Sequence, residues 1–239
     1  GSRRISFGNL EVNTTGGTNR QVTTASNIGF NGNVTIEPSS EVVFGTSYVA
    51  GNIVNNGTFT STAVLGLASY TDGTVSATTN AQTIGGSGVY RNLAAAPTAN
   101  LTSLTVNNTN ATGVTLSVPL SVSGTLTMTS GIINTTTTNL LTLGTATAAG
   151  ILAGTPSATS MVRGPFARTI SNGNANTNYL LFPVGKVAYA PVWAAPATTA
   201  VTVMKAETFD TNTGTQSAAI TNMATNRRWE LPLVSGTIN

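Results

Sequence analysis

The sequence predicts an all-β chain: a right-handed parallel β-helix (a solenoid) over residues 1–165, then a small antiparallel β module over 166–239. Three observations carry this. No window keeps apolar residues at i, i+3, i+4 and i+7, and β-branched residues and Gly dominate throughout. Short runs alternate apolar with hydroxyl-bearing residues, so two apolar side chains share one face of each. These runs recur at short steps with Gly and Asn between them.

In order, the runs are Val34-Thr35-Ile36, Val42-Val43-Phe44, Thr58-Phe59-Thr60, Leu104-Thr105-Val106, Val114-Thr115-Leu116, Leu120-Ser121-Val122, Leu126-Thr127-Met128 and Leu141-Thr142-Leu143. In the middle of the chain apolar pairs begin at Leu104, Val114, Leu120, Leu126, Ile132, Leu141 and Ile151. Steps of about six to ten residues are too tight for most sandwiches and suit coils of three very short strands. Asn107, Asn108, Gly113, Gly124, Gly131, Asn134, Gly144 and Gly150 stand where corners are needed, and both residue types tolerate left-handed backbone. Coils of roughly 20 residues, stacked at about 4.8 Å, give about seven coils over residues 30–165. Stacking also accounts for the Thr and Asn, which form hydrogen-bonded ladders from coil to coil.

After about Gly164 aromatics, Pro and charges return and the strands lengthen: Phe166 to Ile170, Tyr179 to Val184, Ala200 to Phe209, Trp229 to Leu233, with a turn at Asn172-Gly173-Asn174. This second module reads as a small sheet or sandwich-like unit cut short at its end. Gly1-Ser2 reads as a cloning junction, and the whole chain as an excised piece of a longer protein.

Composition narrows function by what is missing. The 239 residues hold 10 Lys+Arg, 7 Asp+Glu, no His and no Cys; charged residues make up 7%, against about 25% in an ordinary domain. Thr, Asn, Ser and Gly make nearly half the chain, yet Val, Ile and Leu run regularly through them, which separates it from disordered polar sequences. The net charge of +3 is spread along the chain rather than gathered into the phosphate-neutralising stripe of a nucleic-acid binder. Absence of Cys excludes disulfides and thiolate metal sites, and no apolar stretch has the length of a membrane helix. No cofactor and no metal site is expected.

The stretch Leu101-Thr-Ser-Leu-Thr-Val-Asn-Asn, then Gly113-Val-Thr-Leu, Leu120-Ser-Val-Ser-Gly-Thr-Leu-Thr-Met and Ser130-Gly-Ile-Ile, resembles a recurrent block in large secreted proteins of Bacteroidetes. Val162-Arg-Gly-Pro-Phe-Ala-Arg, Phe182-Pro-Val-Gly-Lys, Tyr189-Ala-Pro-Val and Arg228-Trp229-Glu230 look like the segments that follow that block, in the same order. The resemblance covers residues 85–239. It implies a segment of a long cell-surface or released protein of the adhesin kind, exported by the type IX secretion system. It brings no catalytic residues.

Candidate sites are few. The carboxylates that lie close in sequence are Glu37 with Glu41 and Glu207 with Asp210, and they read as solvated turn residues rather than as an acid–base pair. Tyr179, Tyr189 and Trp193 are the carbohydrate-stacking candidates, since sugars dock apolar faces on exposed rings. Thr125, Thr127 and Thr129 supply the residue type of an ice-binding face, without a fixed step along the chain. The expectation is a non-enzymatic structural or adhesive segment at the bacterial cell surface, with surface glycans or other surface proteins as partners. Nucleic acid and membrane insertion are not expected. The alternative is a carbohydrate-binding module or, more remotely, an ice-binding one.

Overall fold

A run of three residues with apolar ends buries both ends only if a sheet covers that face, and parallel sheets are normally covered. In the computed structural model, which describes residues 5–14, 21–24, 27–93, 100–211 and 226–238, every alternating run named above lies in a strand. Among the described residues all regular structure is β, and no helix is long and apolar enough to cross a membrane.

The chain visits three positions in turn and returns to each beside its own previous strand. A seven-stranded sheet holds Ile5–Phe7, Ile28–Phe30, Ser47–Val49, Val64–Leu67, Ser103–Asn107, Thr125–Ser130 and Ile151–Gly154, all parallel. An eight-stranded sheet, also parallel, holds Leu10–Val12, Val34–Ile36, Ile53–Asn55, Gln82–Gly85, Val114–Leu116, Ile133–Asn134, Val162–Arg163 and Val184–Gly185. The third position starts as a four-stranded parallel sheet of Gln21–Thr24, Glu41–Phe44, Thr58–Ser61 and Val89–Asn92. A bridge from Leu101 to Val122 leads to a further sheet, where Leu120–Val122, Leu141–Leu143 and Phe166–Ile170 are parallel.

Register converts these pairings into columns of apolar residues. Leu65, Leu104, Leu126 and Leu152 stand side by side in the first sheet; Phe30, Val49, Leu67, Val106 and Met128 form the next inward column. Phe7, Phe30, Phe44, Phe59 and Tyr90 continue this core as a chain of rings, with centroids 5.8, 5.3, 5.0 and 5.5 Å apart. The Tyr90 hydroxyl donates to the Gly85 carbonyl at 2.8 Å, so its burial leaves no unpaired donor.

Bends between strands are tied by side chains that serve the backbone of the neighbouring segment. Asn9 Oδ1 accepts from the Asn33 amide (2.7 Å), Asn33 Oδ1 from the Asn52 amide (2.8 Å), and Asn52 Oδ1 from the Thr83 amide (2.8 Å). The ladder is side chain to backbone, and it satisfies amides at or just before the start of strands. Gly113, Gly131 and Gly144 take positive φ at 73°, 106° and 109°.

One hairpin stands outside this scheme. Ser69–Thr71 and Thr74–Ser76 pair antiparallel around Asp72 and Gly73, both at positive φ as a type I′ turn requires. Tyr70 from this hairpin lies over Gly29 and stacks on Tyr48 at 5.0 Å, while Tyr48 itself lies over Gly66. Gly29, Tyr48 and Gly66 are neighbours in register, so two missing side chains make the bed for two rings.

Near the C-terminus pairing turns antiparallel. Phe166–Ile170 is parallel to Leu141–Leu143 on one edge and antiparallel to Thr202–Phe209 on the other. Arg228–Glu230 and Leu233–Ser235 also pair antiparallel with Thr202–Phe209. The single strands expected at Tyr179 to Val184 and Trp229 to Leu233 are each split, into Leu180–Phe182 with Val184–Gly185 and into Arg228–Glu230 with Leu233–Ser235. Pro183 and Pro232 sit at the breaks, where a missing N–H ends a ladder.

Alternation on Thr125–Ser130 sets up a direct test. Leu126→Ala removes a fully buried side chain from its column and is expected to cost about 2–5 kcal/mol, whereas Thr127→Ala on the outward face stays within about 0.5 kcal/mol. Chemical denaturation of both variants measures the difference, and equal losses would contradict the assigned faces.

Candidate ligand-binding cleft

Hairpin chemistry places the first candidate. Leu180–Phe182 and Val192–Ala194 pair antiparallel, with Leu181 directly opposite Trp193 and Phe182 opposite Val192. Directly opposed residues share a face. Phe182 turns into the core, and its ring meets Phe166 edge-on at 6.3 Å. Trp193 stays 59% exposed, and Tyr179, two residues before Leu181, is 63% exposed.

Tyr179 and Trp193 line one cavity of about 250 Å³, together with Leu152 and Gly154 from the end of the seven-stranded sheet. Tyr189 does not line it. That residue bridges back to Gly185 and is half-buried, and burial pushes its phenol pKa up. Two of the three ring candidates are therefore brought together, and the third serves the turn after Val184–Gly185.

The same cavity is lined by a residue that aromatic pattern does not reveal. Arg168 is 7% exposed and sits on Phe166–Ile170, between Leu143 and Met204 in register. As the i+2 neighbour of Phe166 and the i−2 neighbour of Ile170, it shares the face of two core residues. Its Nη1 donates to the Leu181 carbonyl at 2.8 Å and its Nη2 to the Gly150 carbonyl at 3.5 Å. Its Nε is buried with no hydrogen-bond partner among the described residues. Among the described residues no carboxylate pairs with it. Burial lowers its pKa to about 10, which leaves it charged at neutral pH. A buried cation served by carbonyls alone is an expensive arrangement, and it faces a space flanked by two open rings. The sequence signal was its place on the apolar face of an otherwise apolar-alternating strand.

The close carboxylates separate into different environments. Glu41 Oε1 accepts from Arg91 Nη2 at 2.6 Å and from Thr60 Oγ1 at 2.8 Å on the outside of the third sheet. Glu37 belongs to the turn before it, where its carbonyl accepts from the Ser40 amide. Glu207 pairs with Lys186 at 2.8 Å, and Asp210 Oδ2 accepts from the Val187 amide at 3.0 Å. A groove of about 660 Å³ runs past Ser39, Glu41, Asn56, Thr58 and Ser87 and has no aromatic wall. Among the described residues no group of three or more Asp, Glu, His or Cys is placed to hold a metal ion.

The Thr candidates lie on Thr125–Ser130. Thr127 stands outward beside Thr105, a row that gives way to Gly66 on one side and Ala153 on the other. Thr125 pairs with Ile151. Thr129 falls where the register slips between Val106 and Asn107, opposite no residue of the neighbouring strand.

In comparisons with known proteins, no family model, no curated protein and no solved structure matches the chain.

The two faces of the hairpin make opposite forecasts. Trp193→Ala is expected to leave the melting temperature within about 2 °C of wild type, and Phe182→Ala to cost about 3–5 kcal/mol. Thermal melts of the two variants check this; a large loss in Trp193→Ala would make that ring a packing element.

Proposed function

We propose that the chain is a non-enzymatic structural and adhesive segment of a large bacterial cell-surface or secreted protein, of the Bacteroidetes kind exported by the type IX route. It is built as a right-handed parallel β-helix with a small antiparallel module at its C-terminal end. The observation that carries this reading is the run of parallel pairings in which each strand lies beside the strand of the previous circuit, over columns of Leu, Val and Phe. Such a stack buries its core circuit by circuit, so its length grows without a larger cross-section. That property serves a stalk. Its partners are surface glycans or other surface proteins, met outside the cell.

A second reading is favoured by one specific observation: Tyr179 and Trp193, both exposed, flank a single cavity. In this reading the C-terminal end of the segment is a carbohydrate-binding site, and the stalk presents it.

The non-enzymatic part is tested by incubating the purified chain with pectins, uronans and neutral β-glucans and measuring released reducing ends. The expected result is no release above buffer; sustained release would overturn it.

Charge scarcity yields a second test. Burial raises the Glu41 carboxyl, but its bonds from Arg91 and Thr60 and the Arg91 charge outweigh burial, and its pKa is lowered. A lowered carboxyl stabilises the fold above its unfolded value near about 4.3, and this is lost as pH falls through the folded value. Burial raises the phenols of Tyr48, Tyr90 and Tyr189, whose contribution is present below about pH 10 and lost above it. Arg168, lowered to about 10, carries a constant penalty below that value. None of these windows lies between about pH 5 and about pH 9, so the melting temperature there is expected to move by less than about 2 °C. A shift beyond about 5 °C would show a titrating group that the fold depends on.

A further inference from the structure

We infer that the Tyr179–Trp193 cleft takes an acidic sugar, whose carboxylate pairs with the Arg168 guanidinium while its ring lies against the exposed aromatic faces. This rests on the second reading above, of the cleft as a saccharide site, and names the class of ligand. Three observations converge on it. Arg168 lines the cleft at 7% exposure and carries a full charge, and among the described residues no carboxylate pairs with it. A guanidinium has five N–H donors, and among the described residues two carbonyls accept from it while Nε has no partner. The protein around it has already met the desolvation cost, so an arriving carboxylate gains a charge-assisted bond in a poorly hydrated place.

The walls then choose what carries the carboxylate. A cavity of about 250 Å³ lies below the roughly 300 Å³ of ordinary small-molecule pockets and admits one ring rather than a chain. Trp193 and Tyr179, both largely exposed, line it with aromatic side chains, and Leu152 contributes an aliphatic surface. A sugar ring with one carboxylate offers an apolar face, hydroxyls for the rim and an anion for the floor. A uronic acid or a sialic acid has this pattern; a neutral hexose lacks the group that Arg168 is left to meet.

Specificity follows from the guanidinium. A site built around a buried donor discriminates strongly against a ligand that leaves the donor unpaired. The acidic sugar is therefore expected to bind at least about tenfold tighter than its neutral or methyl-esterified counterpart. Arg168→Met replaces the charge by an unbranched apolar side chain on a core face. It is expected to erase the preference and to leave weak binding of neutral sugars, whereas Trp193→Ala removes binding of both.

The experiment is a saccharide array and titration calorimetry on the purified chain, using galacturonate and glucuronate oligomers and sialyl-lactose, each beside its methyl ester or neutral parent. Wild type supplies a variant-free answer, so the test does not depend on Arg168→Met folding; circular dichroism checks that variant. Preference for the acids in wild type, lost in Arg168→Met, supports the inference. Equal binding of acidic and neutral members overturns it and leaves the saccharide reading in place. Silence across the whole panel overturns both.

Discussion

Parallel, in-register pairing between successive circuits is the constraint on which the other features depend. In an antiparallel hairpin a turn fixes the register locally. Here each strand waits for the chain to pass through two other sheets before it meets its neighbour, so register has to be set by what the side chains do on arrival. Leucine beside leucine in the first sheet sets it from within. A slip of one residue would turn Leu104, Leu126 and Leu152 outward and bring Thr105 and Thr127 into the core. The Asn9–Asn33–Asn52 ladder sets it from the corners, since each amide oxygen reaches one backbone donor on the next circuit.

The scarcity of charge follows from the same constraint. Like residues stack on like in such a column, and a column of charges would repel itself at strand spacing. Several of the charges that do occur are paired across strands. Glu41 and Arg91 sit two strands apart on the third sheet with Thr60 bonded to both, and Lys186 meets Glu207 where antiparallel pairing has begun. Thr suits the remaining outward positions because it combines β-branching with a hydroxyl that stacks without repulsion.

Much of this was legible in the sequence, and the reasons are physical. Alternation with a period of two marks strands whatever they pair with, so runs such as Val114-Thr115-Leu116 and Leu141-Thr142-Leu143 were readable as strands. The corner role of Gly131 and Gly144 was readable because only backbone chemistry was needed. Asn107 and Asn134, expected at corners, instead end strands, and Asn134 sends its amide to the Thr112 carbonyl on the preceding circuit. The hairpin around Asp72-Gly73 carried a strong turn signal, but its docking did not, since it depends on Gly29 and Gly66 lying far away in sequence and adjacent in register to Tyr48. Tyr179 and Trp193 were identified as exposed rings by residue type, and Tyr189 by the same criterion is set apart by its bridge to Gly185. Arg168 was hidden among scattered cations. Only its step of two from Phe166 and Ile170 marks it, and that mark means something only once the end of the stack is in view.

The end of the stack is where such a fold has room for chemistry. Along its length most inward positions are buried beneath neighbouring strands, and many outward positions carry Thr, Ser or Asn. The seven-stranded sheet stops at Ile151–Gly154, while the eight-stranded sheet runs on to Val184–Gly185 and the third position to Phe166–Ile170 and beyond. The interior is thus left open on one side, and the Leu180–Phe182 and Val192–Ala194 hairpin lies beside that opening without filling it. A core-facing residue at this level can be charged, because its head meets the Leu181 and Gly150 carbonyls and lines the cavity beside them. Arg168 is that residue. A leucine in its place would continue the file of Val122 and Leu143 towards Met204, so Arg168 puts a charge into a file that its neighbours in register keep apolar.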